Sequence, residues 1–320
     1  MEKAATGQII NPDCIVRSEA AGFAPPYRGK VRDVYTLNAA TLAIVVTDRI
    51  SAFDHILKQP IPYKGQILNR ISGFTFNKVA DIVETHVIAV PHPNVMIAKK
   101  CESLPVEVVV RGYLAGHAWR TYNSGGRILC GVKLPEGLVK NQKFDHPIIT
   151  PTTKATEGHD TDITRDEILD TGLVAEGLWV KIEQTALNLF KRGTEIAAKQ
   201  GLILVDTKYE FGLRDGRLIL IDEVHTPDSS RYFYSDGYEE KLKKGEEQRQ
   251  LSKEFIREWL IDQNFMGKDG QTMPDLPDDF IITVHQRYAE LYERLTGEKF
   301  KPVPVRDFNN TLTDILTRFA

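Results

Sequence analysis

With 320 residues, the chain has room for one large domain or two intimate ones, and for a sizeable hydrophobic core. At 42% hydrophobic and 27% charged it has the composition of an ordinary globular protein, and no low-complexity tract or membrane-length apolar run interrupts it. A net charge of −3 excludes nucleic-acid binding through bulk positive charge, so any anionic ligand must be held by locally gathered Lys and Arg. Three widely spaced cysteines, Cys14, Cys101 and Cys130, fit neither a metal-ligand spacing nor a disulfide framework, which points to a cytoplasmic enzyme or binding protein.

The N-terminal third reads as strands. YRGKVRDVY (27–35) sets Gly29 between Arg28 and Lys30, with Arg32 beyond, where a hairpin begins. Glycine there would let the backbone approach an anion that the cations neutralise, although an exposed basic turn would look the same. The stretch lacks the GxxxxGK of a Walker loop. Strands over 31–37 and 41–48 form the hairpin. TDRISAFDH (47–55) then brings Asp48, Arg49, Ser51 and Asp54 to a strand's carboxyl end, where ligand groups often sit, though a turn with a helix cap explains them equally. A helix is predicted over 66–82, followed by strands over 84–91 and 106–114, the last apolar enough to be central.

That central strand runs into Arg111, followed by Gly112, Gly116 and His117. An arginine leaving a buried strand needs an anion or an acidic partner, whereas a lone histidine beside glycine is more often structural than catalytic. Residues 146–164, rich in Thr, Pro and Gly, read as a long functional loop. It carries Lys154, Glu157, His159 and Asp160 in a segment able to close over substrates. No second histidine at helical spacing supports zinc there. A helical region over 165–200 lines up Trp179, Ile182, Ala186, Leu189, Phe190, Gly193, Ile196 and Ala197 on one stripe and is stopped by Gly201.

LILVDTKYEFGLRDGRLILIDEVHTPDSSR (202–231) threads Asp206, Lys208, Glu210, Asp222 and Glu223 through an apolar hairpin. Alternation puts Asp206, Lys208 and Glu210 on one face and Ile203, Val205, Thr207, Tyr209 and Phe211 on the other. A two-residue Asp215-Gly216 turn would set Ile221 opposite Glu210, mixing core with charge. A three-residue Arg214-Asp215-Gly216 loop pairs Ile221 with Tyr209 and Ile219 with Phe211, and this is the register the pattern predicts. Asp222 then faces Lys208 and lies diagonal to Asp206 and Glu210, within roughly 7–8 Å. Carboxylates at that range can share magnesium with phosphate oxygens, and the lysine can neutralise a transferring phosphoryl or a substrate carboxylate. The alternative is a solvated face with casual ion pairs. Ser229, Ser230 and Arg231 follow, two hydroxyls and a guanidinium suited to phosphate. The tail is helical over 251–261, over 283–295 and on to Phe319. A strand-rich lobe over 1–104 and a mixed lobe over 105–320 are expected.

YRGKVRD, TDRISAFD, VVVRGYLAGHAW, TPTTKATEGHD, LVDTKYEFG and IDEVHTPDSSR occur in that order between residues 27 and 231. With these segments the chain resembles the SAICAR synthetase (phosphoribosylaminoimidazole-succinocarboxamide synthase) family of de novo purine synthesis. The resemblance implies a two-lobed α+β fold, similar in outline to protein kinases, with ATP in the cleft between the lobes. It implies an ATP- and magnesium-using ligase that joins the carboxylate of carboxyaminoimidazole ribotide (CAIR) to the amine of L-aspartate through an acyl phosphate. Carried over by motif, Gly29, Lys30 and Arg32 would lie over the ATP phosphates, and Glu210 and Asp222 would hold magnesium. Asp206 and Lys208 would contact the imidazole amine and carboxylate of CAIR as the catalytic pair. Arg111, Ser230 and Arg231 would bind its ribose phosphate, Ser51 and Asp54 would line the substrate side, and Lys154 would belong to a closing loop.

Many relatives have serine where this chain has His117, so a phosphate contact at that position would become pH-sensitive. All three substrates are anionic, and the matched stretches concentrate cations on an acidic chain. Phosphoryl transfer needs positioning and charge neutralisation more than an unusual nucleophile. The partners implied are these small molecules, with no nucleic acid and no membrane; the sequence leaves the oligomeric state open. Rival readings are a small-molecule kinase, which would consume ATP without aspartate, and a nucleotide-binding protein without turnover. A glycosidase built on the paired carboxylates is remote, because Lys208 lies between them.

Overall fold

The computed structural model describes residues 14–154 and 160–320. The chain divides into two compact units. The first takes the described residues up to Phe74 with His86–Lys100 and Lys253–Ala320; the second takes Thr75–Thr85 and Cys101–Ser252.

The first unit is built on an antiparallel five-stranded sheet in the order β1-β2-β3-β7-β6. Its strands are β1 (Tyr27–Arg28), β2 (Arg32–Thr36), β3 (Thr41–Val46), β6 (Val87–His92) and β7 (Val95–Lys99), and a two-residue hairpin, β4 (Ser51–Ala52) with β5 (His55–Ile56), stands apart. The β2–β3 hairpin lies where the sequence predicts it. β7 escapes a periodicity reading because Val95, Met96, Ile97 and Ala98 are all buried, leaving no alternation to detect. Helix α1 (Lys64–Val79) starts two residues before the predicted helix and stops three before its end.

The second unit contains β8 (Glu102–Tyr113), the short pair β9 (Ile128–Leu129) and β10 (Val132–Lys133), β11 (Lys143–Thr153), β12 (Leu202–Arg214), β13 (Arg217–Ile221), β14 (Ser230–Tyr234) and β15 (Gln250–Leu251). Its main sheet runs β11-β8-β12-β14-β15, with β13 also paired to β12. Helices α2 (Gly116–Asn123), α3 (Arg165–Asp170), α4 (Glu176–Ala198) and α5 (Tyr238–Lys244) complete the unit. The predicted helical region over 165–200 is made of two helices, and its stripe from Trp179 to Ala197 lies on the buried face of α4. Residues 143–153, which overlap the predicted loop, form strand β11. Pro147 and Pro151 remove ladder donors, and an edge strand tolerates that loss.

Helices α6 (Glu254–Asp262), α7 (Asp278–Thr296) and α8 (Phe308–Phe319) close the chain and group with the first unit. On α8, Phe308, Leu312, Ile315 and Leu316 pack against Tyr35, Val45, Val95 and Ile97 of the sheet. No helix among the described residues is long and apolar enough to cross a membrane.

The β12–β13 register differs from the predicted one. Glu210 pairs with Ile221, Phe211 with Leu220 and Arg214 with Arg217, so the loop is the two-residue Asp215-Gly216 turn. Both turn residues have positive φ, +53° and +72°, the type I′ geometry whose twist matches a hairpin. Turn geometry thus overrides the preference for apolar pairing. A second irregularity, between Leu204 and Asp206 against β14, breaks the simple alternation. Val205 joins Tyr113, Phe233 and Tyr238 in one cluster, whereas Leu204 lies against α4 at Gly193.

Candidate active site

β12 is long enough to have different neighbours along one edge: β14 flanks residues 202–207 and β13 flanks 210–214. Between them, at Lys208, the edge opens where residues 222–229 leave the sheet, and the Lys208 amide donates to Ser229 O at 2.9 Å. The second unit's candidate residues gather on either side of this gap.

On one side a charged row crosses three strands. Asp206 of β12 is in register with Arg111 of β8 and with Arg231 of β14. Its Oδ2 accepts from Arg111 Nη1 at 3.4 Å and from Arg231 Nη1, and all three residues are buried. Arg111 Nε donates to Thr150 Oγ1 at 2.8 Å, and the Ser230 and Thr207 hydroxyls pair at 2.8 Å. Burial pulls the Arg111 guanidinium below the usual arginine range, with Asp206 opposing that effect and Arg231 adding to it. Two guanidiniums on one carboxylate leave a unit of positive charge, the electrostatic requirement for an anion. Gly116 makes room for the Arg231 guanidinium. Its φ is +53°, and a Cβ there would fall 2.7 Å from Arg231 Nη1 and 2.8 Å from Cζ.

On the other side the charges reverse. Lys208 Nζ lies 2.7 Å from Glu107 Oε1 and 3.7 Å from Asp222 Oδ2, and it also pairs with Glu210. Lys154 meets the other oxygen of Glu210. Burial would raise Glu210, yet Lys208 and Lys154 outweigh it and hold the carboxyl well below its usual range. Burial would likewise lower Lys208, but Glu210, Asp222 and Glu107 keep the ammonium well above the ordinary lysine value. Burial raises Glu107. Asp222 reaches Lys208 by a route the predicted register lacks: it follows the last residue of β13 with φ +68°, a left-handed turn that swings it out of the strand alternation. Among the described residues no three of His, Cys, Asp and Glu converge as a preformed metal site. Glu210 and Asp222 are instead two oxygen donors around one ammonium.

The sequence reading passes over Glu107. It pairs directly with Glu210 across β8 and β12, a like-charge juxtaposition that costs stability unless a cation bridges it, as Lys208 does here. A single acid inside the apolar run PVEVVVR is the signal for it. His117 Nε2 pairs with Asp162 Oδ2 at 2.8 Å, and this hydrogen bond lowers the Asp162 carboxyl. Cys130 nearby is pushed up to about 12, chiefly by burial. Glu157 and His159 lie outside the described residues.

The first unit holds Gly29, Lys30, Arg32, Ser51 and Asp54. The loop from Gly29 to Arg32 joins β1 to β2, closed by Gly29 N donating to Arg32 O at 2.8 Å. A Cβ on Gly29 would meet Arg32 O at an ordinary 3.4 Å, so packing inside the loop does not demand glycine. Lys30 pairs with Asp54, which with Phe53 forms the left-handed tip of the β4–β5 hairpin. Ser51 opposes Ile56 in that hairpin.

A family model described as SAICAR synthetase matches residues 25–273. The phosphoribosylaminoimidazole-succinocarboxamide synthase of Bacteroides thetaiotaomicron is 57% identical over 275 residues, covering 86% of this chain and 88% of the relative. That of Legionella pneumophila (strain Lens) is 47% identical over 305 residues, covering 92% and 96%. Among solved structures, the SAICAR synthase of Saccharomyces cerevisiae complexed with SAICAR is similar with a TM-score of 0.77 and 35% identity, covering 90% of this chain and 100% of that one. A type 2 SAICAR synthetase in complex with ADP gives 0.66 at 28% identity, covering 87% and 100%.

Proposed function

The chain belongs to the SAICAR synthetase family, and on that premise we propose how its residues divide the family's reaction. The protein is an ATP-dependent, amide-forming ligase of purine biosynthesis, which joins CAIR to L-aspartate to give SAICAR, ADP and phosphate. The observation that carries the assignment of roles is the sequence of charges along β12, with an arginine-rich row at Asp206 and a carboxylate-rich cluster around Lys208 and Glu210.

In this reading Arg111, Arg231 and Ser230 take the ribose phosphate of CAIR, with His117 at the edge of the same site. Asp206 keeps the two guanidiniums side by side and accepts from the imidazole amine. Lys208 neutralises the CAIR carboxylate as its oxygen attacks the γ-phosphorus, and ADP leaves from that phosphorus. The aspartate amine then attacks the acyl carbon, loses a proton and expels phosphate with the C–O bond. Gly29, Lys30 and Arg32 hold the ATP phosphates; Ser51, Asp54 and Lys154 line the substrates.

Magnesium fits Glu210 and Asp222, which are hard oxygen donors already gathered about a cation. When bound, the ion neutralises charge on the phosphates and makes the transferring group more electrophilic. A cytoplasmic location belongs to the same reading.

A coupled ADP-release assay with CAIR tests these assignments, leaving out aspartate, magnesium or ATP in turn. Amide formation dependent on all three is expected. ADP release that ignores aspartate would favour the kinase reading.

A further inference from the structure

Behind the β1–β2 loop, every backbone carbonyl from Gly29 to Arg32 is held by two residues at the end of β3. Arg49 Nε donates to Lys30 O at 3.0 Å, and Arg49 Nη2 donates to Gly29 O at 3.0 Å and Arg32 O at 3.2 Å. Thr47 takes the remaining carbonyl: its amide and its hydroxyl donate to Val31 O at 3.1 and 2.8 Å. Arg49 is itself fixed. Its Nη2 donates at 2.9 Å to Oδ1 of the buried Asp33, and Nη1 donates to Val16 O. The second oxygen of Asp33 accepts from Ser18 N, Ser18 Oγ and Arg28 Nη1 at 2.9, 2.8 and 2.7 Å.

The orientation has a consequence for the opposite face. A trans peptide unit points its C=O and N–H in opposite directions, and there are no cis bonds among the described residues. With the carbonyls of Gly29 and Lys30 turned onto the guanidinium, the amides of Lys30 and Val31 are directed away from it. Two successive amides facing one way form a nest for an anion.

We infer that Arg49 is a positioning residue for the nucleotide: by gathering the loop carbonyls on one side it presents the Lys30 and Val31 amides to a phosphate oxygen. The inference rests on the reading of this loop as the ATP-phosphate loop. Arg49 touches no substrate in it. The planar fork supplies the reach, because a lysine carries three donors on one nitrogen and cannot serve carbonyls spread along four residues.

The test compares Arg49→Lys and Lys30→Ala in the full-length enzyme by steady-state kinetics, varying ATP, CAIR and aspartate separately, with melting temperatures measured alongside. Arg49→Lys should raise the KM for ATP about tenfold, with kcat and the KM values for CAIR and aspartate within about twofold, as one lost charge-assisted contact predicts. Lys30→Ala should raise the same constant and so certify the loop. If Lys30→Ala raises it and Arg49→Lys does not, the positioning role is overturned while the loop reading stands. An ATP constant unmoved by Lys30→Ala removes the loop reading, and the inference with it. Equal shifts in all three KM values, or a lower active fraction with unchanged constants, make Arg49 structural only. Should Arg49→Lys not fold, the wild-type enzyme supplies the test: the Lys30 and Val31 amide resonances should shift when ATP is added in nitrogen-15 NMR spectra, and unmoved resonances would overturn the inference.

Discussion

Gly116→Ala separates the anion row from the rest of the site without touching a charged residue. The added methyl would fall 2.7 Å from Arg231 Nη1 and 2.8 Å from Cζ, well inside van der Waals contact, so one of the two must move. The helix backbone is anchored by Trp119 N donating to Ala115 O, whereas the guanidinium is the far end of a flexible chain. Arg231 therefore swings away from Asp206. A hydrogen bond to a charged group is worth roughly 1.5–3 kcal/mol, and each 1.4 kcal/mol is a factor of ten. The KM for CAIR should rise about ten- to a hundredfold, with the KM for ATP unchanged. The strain of φ +53° on a residue with a Cβ adds about 1 kcal/mol of instability, visible as a lower melting temperature. Steady-state kinetics with each substrate varied in turn reads both constants. An unchanged CAIR constant in a folded variant would refute the placement of phosphate at Arg231.

Lys208→Ala and Asp222→Asn should each lose most turnover, by about a hundredfold or more, with far-ultraviolet circular dichroism unchanged; near-normal rates at saturating substrates and magnesium would count against the cluster. Gly193→Ala should destabilise the second unit by about 1–3 kcal/mol in urea unfolding, since its methyl would lie 2.7 Å from His225 Nε2 and 2.8 Å from Leu204 Cδ2, which outweighs alanine's better helix propensity; an unchanged midpoint would show that the interior yields. Burial depresses His225 to about 3, below its unfolded value of about 6.5, so the unfolded chain binds a proton that the folded one refuses. Its share of stability is complete above pH 6.5 and is lost as pH falls toward 3, by up to about 1.4 kcal/mol per unit. The stability gap between wild type and His225→Gln should narrow accordingly from pH 7 to 4, and a gap constant with pH would show that the imidazole titrates alike in the folded and unfolded chain.

What the sequence conveys about this site is a matter of range. Asp206, Lys208 and Glu210 alternate within one strand, and period two places them on one face whatever the rest of the fold does. The Arg111–Asp206–Arg231 row is a different matter, because Arg111 is 95 residues from Asp206 and nothing local says that β8 and β14 flank β12 at that position. Side-chain pattern and turn geometry disagree over the hairpin register. Two left-handed residues at Asp215 and Gly216 decide it for the turn, and a third, Asp222, returns the carboxylate to Lys208. β11 was hidden behind its prolines, and β7 by burial on both faces.

The two ends of the β12 site have opposite electrostatic needs, and their spacing says how they work together. Residues two apart on a strand lie about 7 Å from each other, so a ligand anchored, as proposed, by its anionic end at Asp206 and its arginines would bring its other end to Lys208. There the protein offers Glu107, Glu210 and Asp222 against the ammoniums of Lys208 and Lys154, an excess of one negative charge. That excess repels both a substrate carboxylate and a nucleotide phosphate, and side-chain exposures of 7–26% for Glu107, Glu210, Asp222 and Lys208 mean that solvent screens it poorly. A divalent cation at Glu210 and Asp222, as proposed, would change the excess from one negative to one positive charge, converting repulsion into attraction for both anions at once. Lys208 would then keep Glu107 as its partner. Glu107 would therefore be the acid that lets the lysine and a metal occupy the same small space.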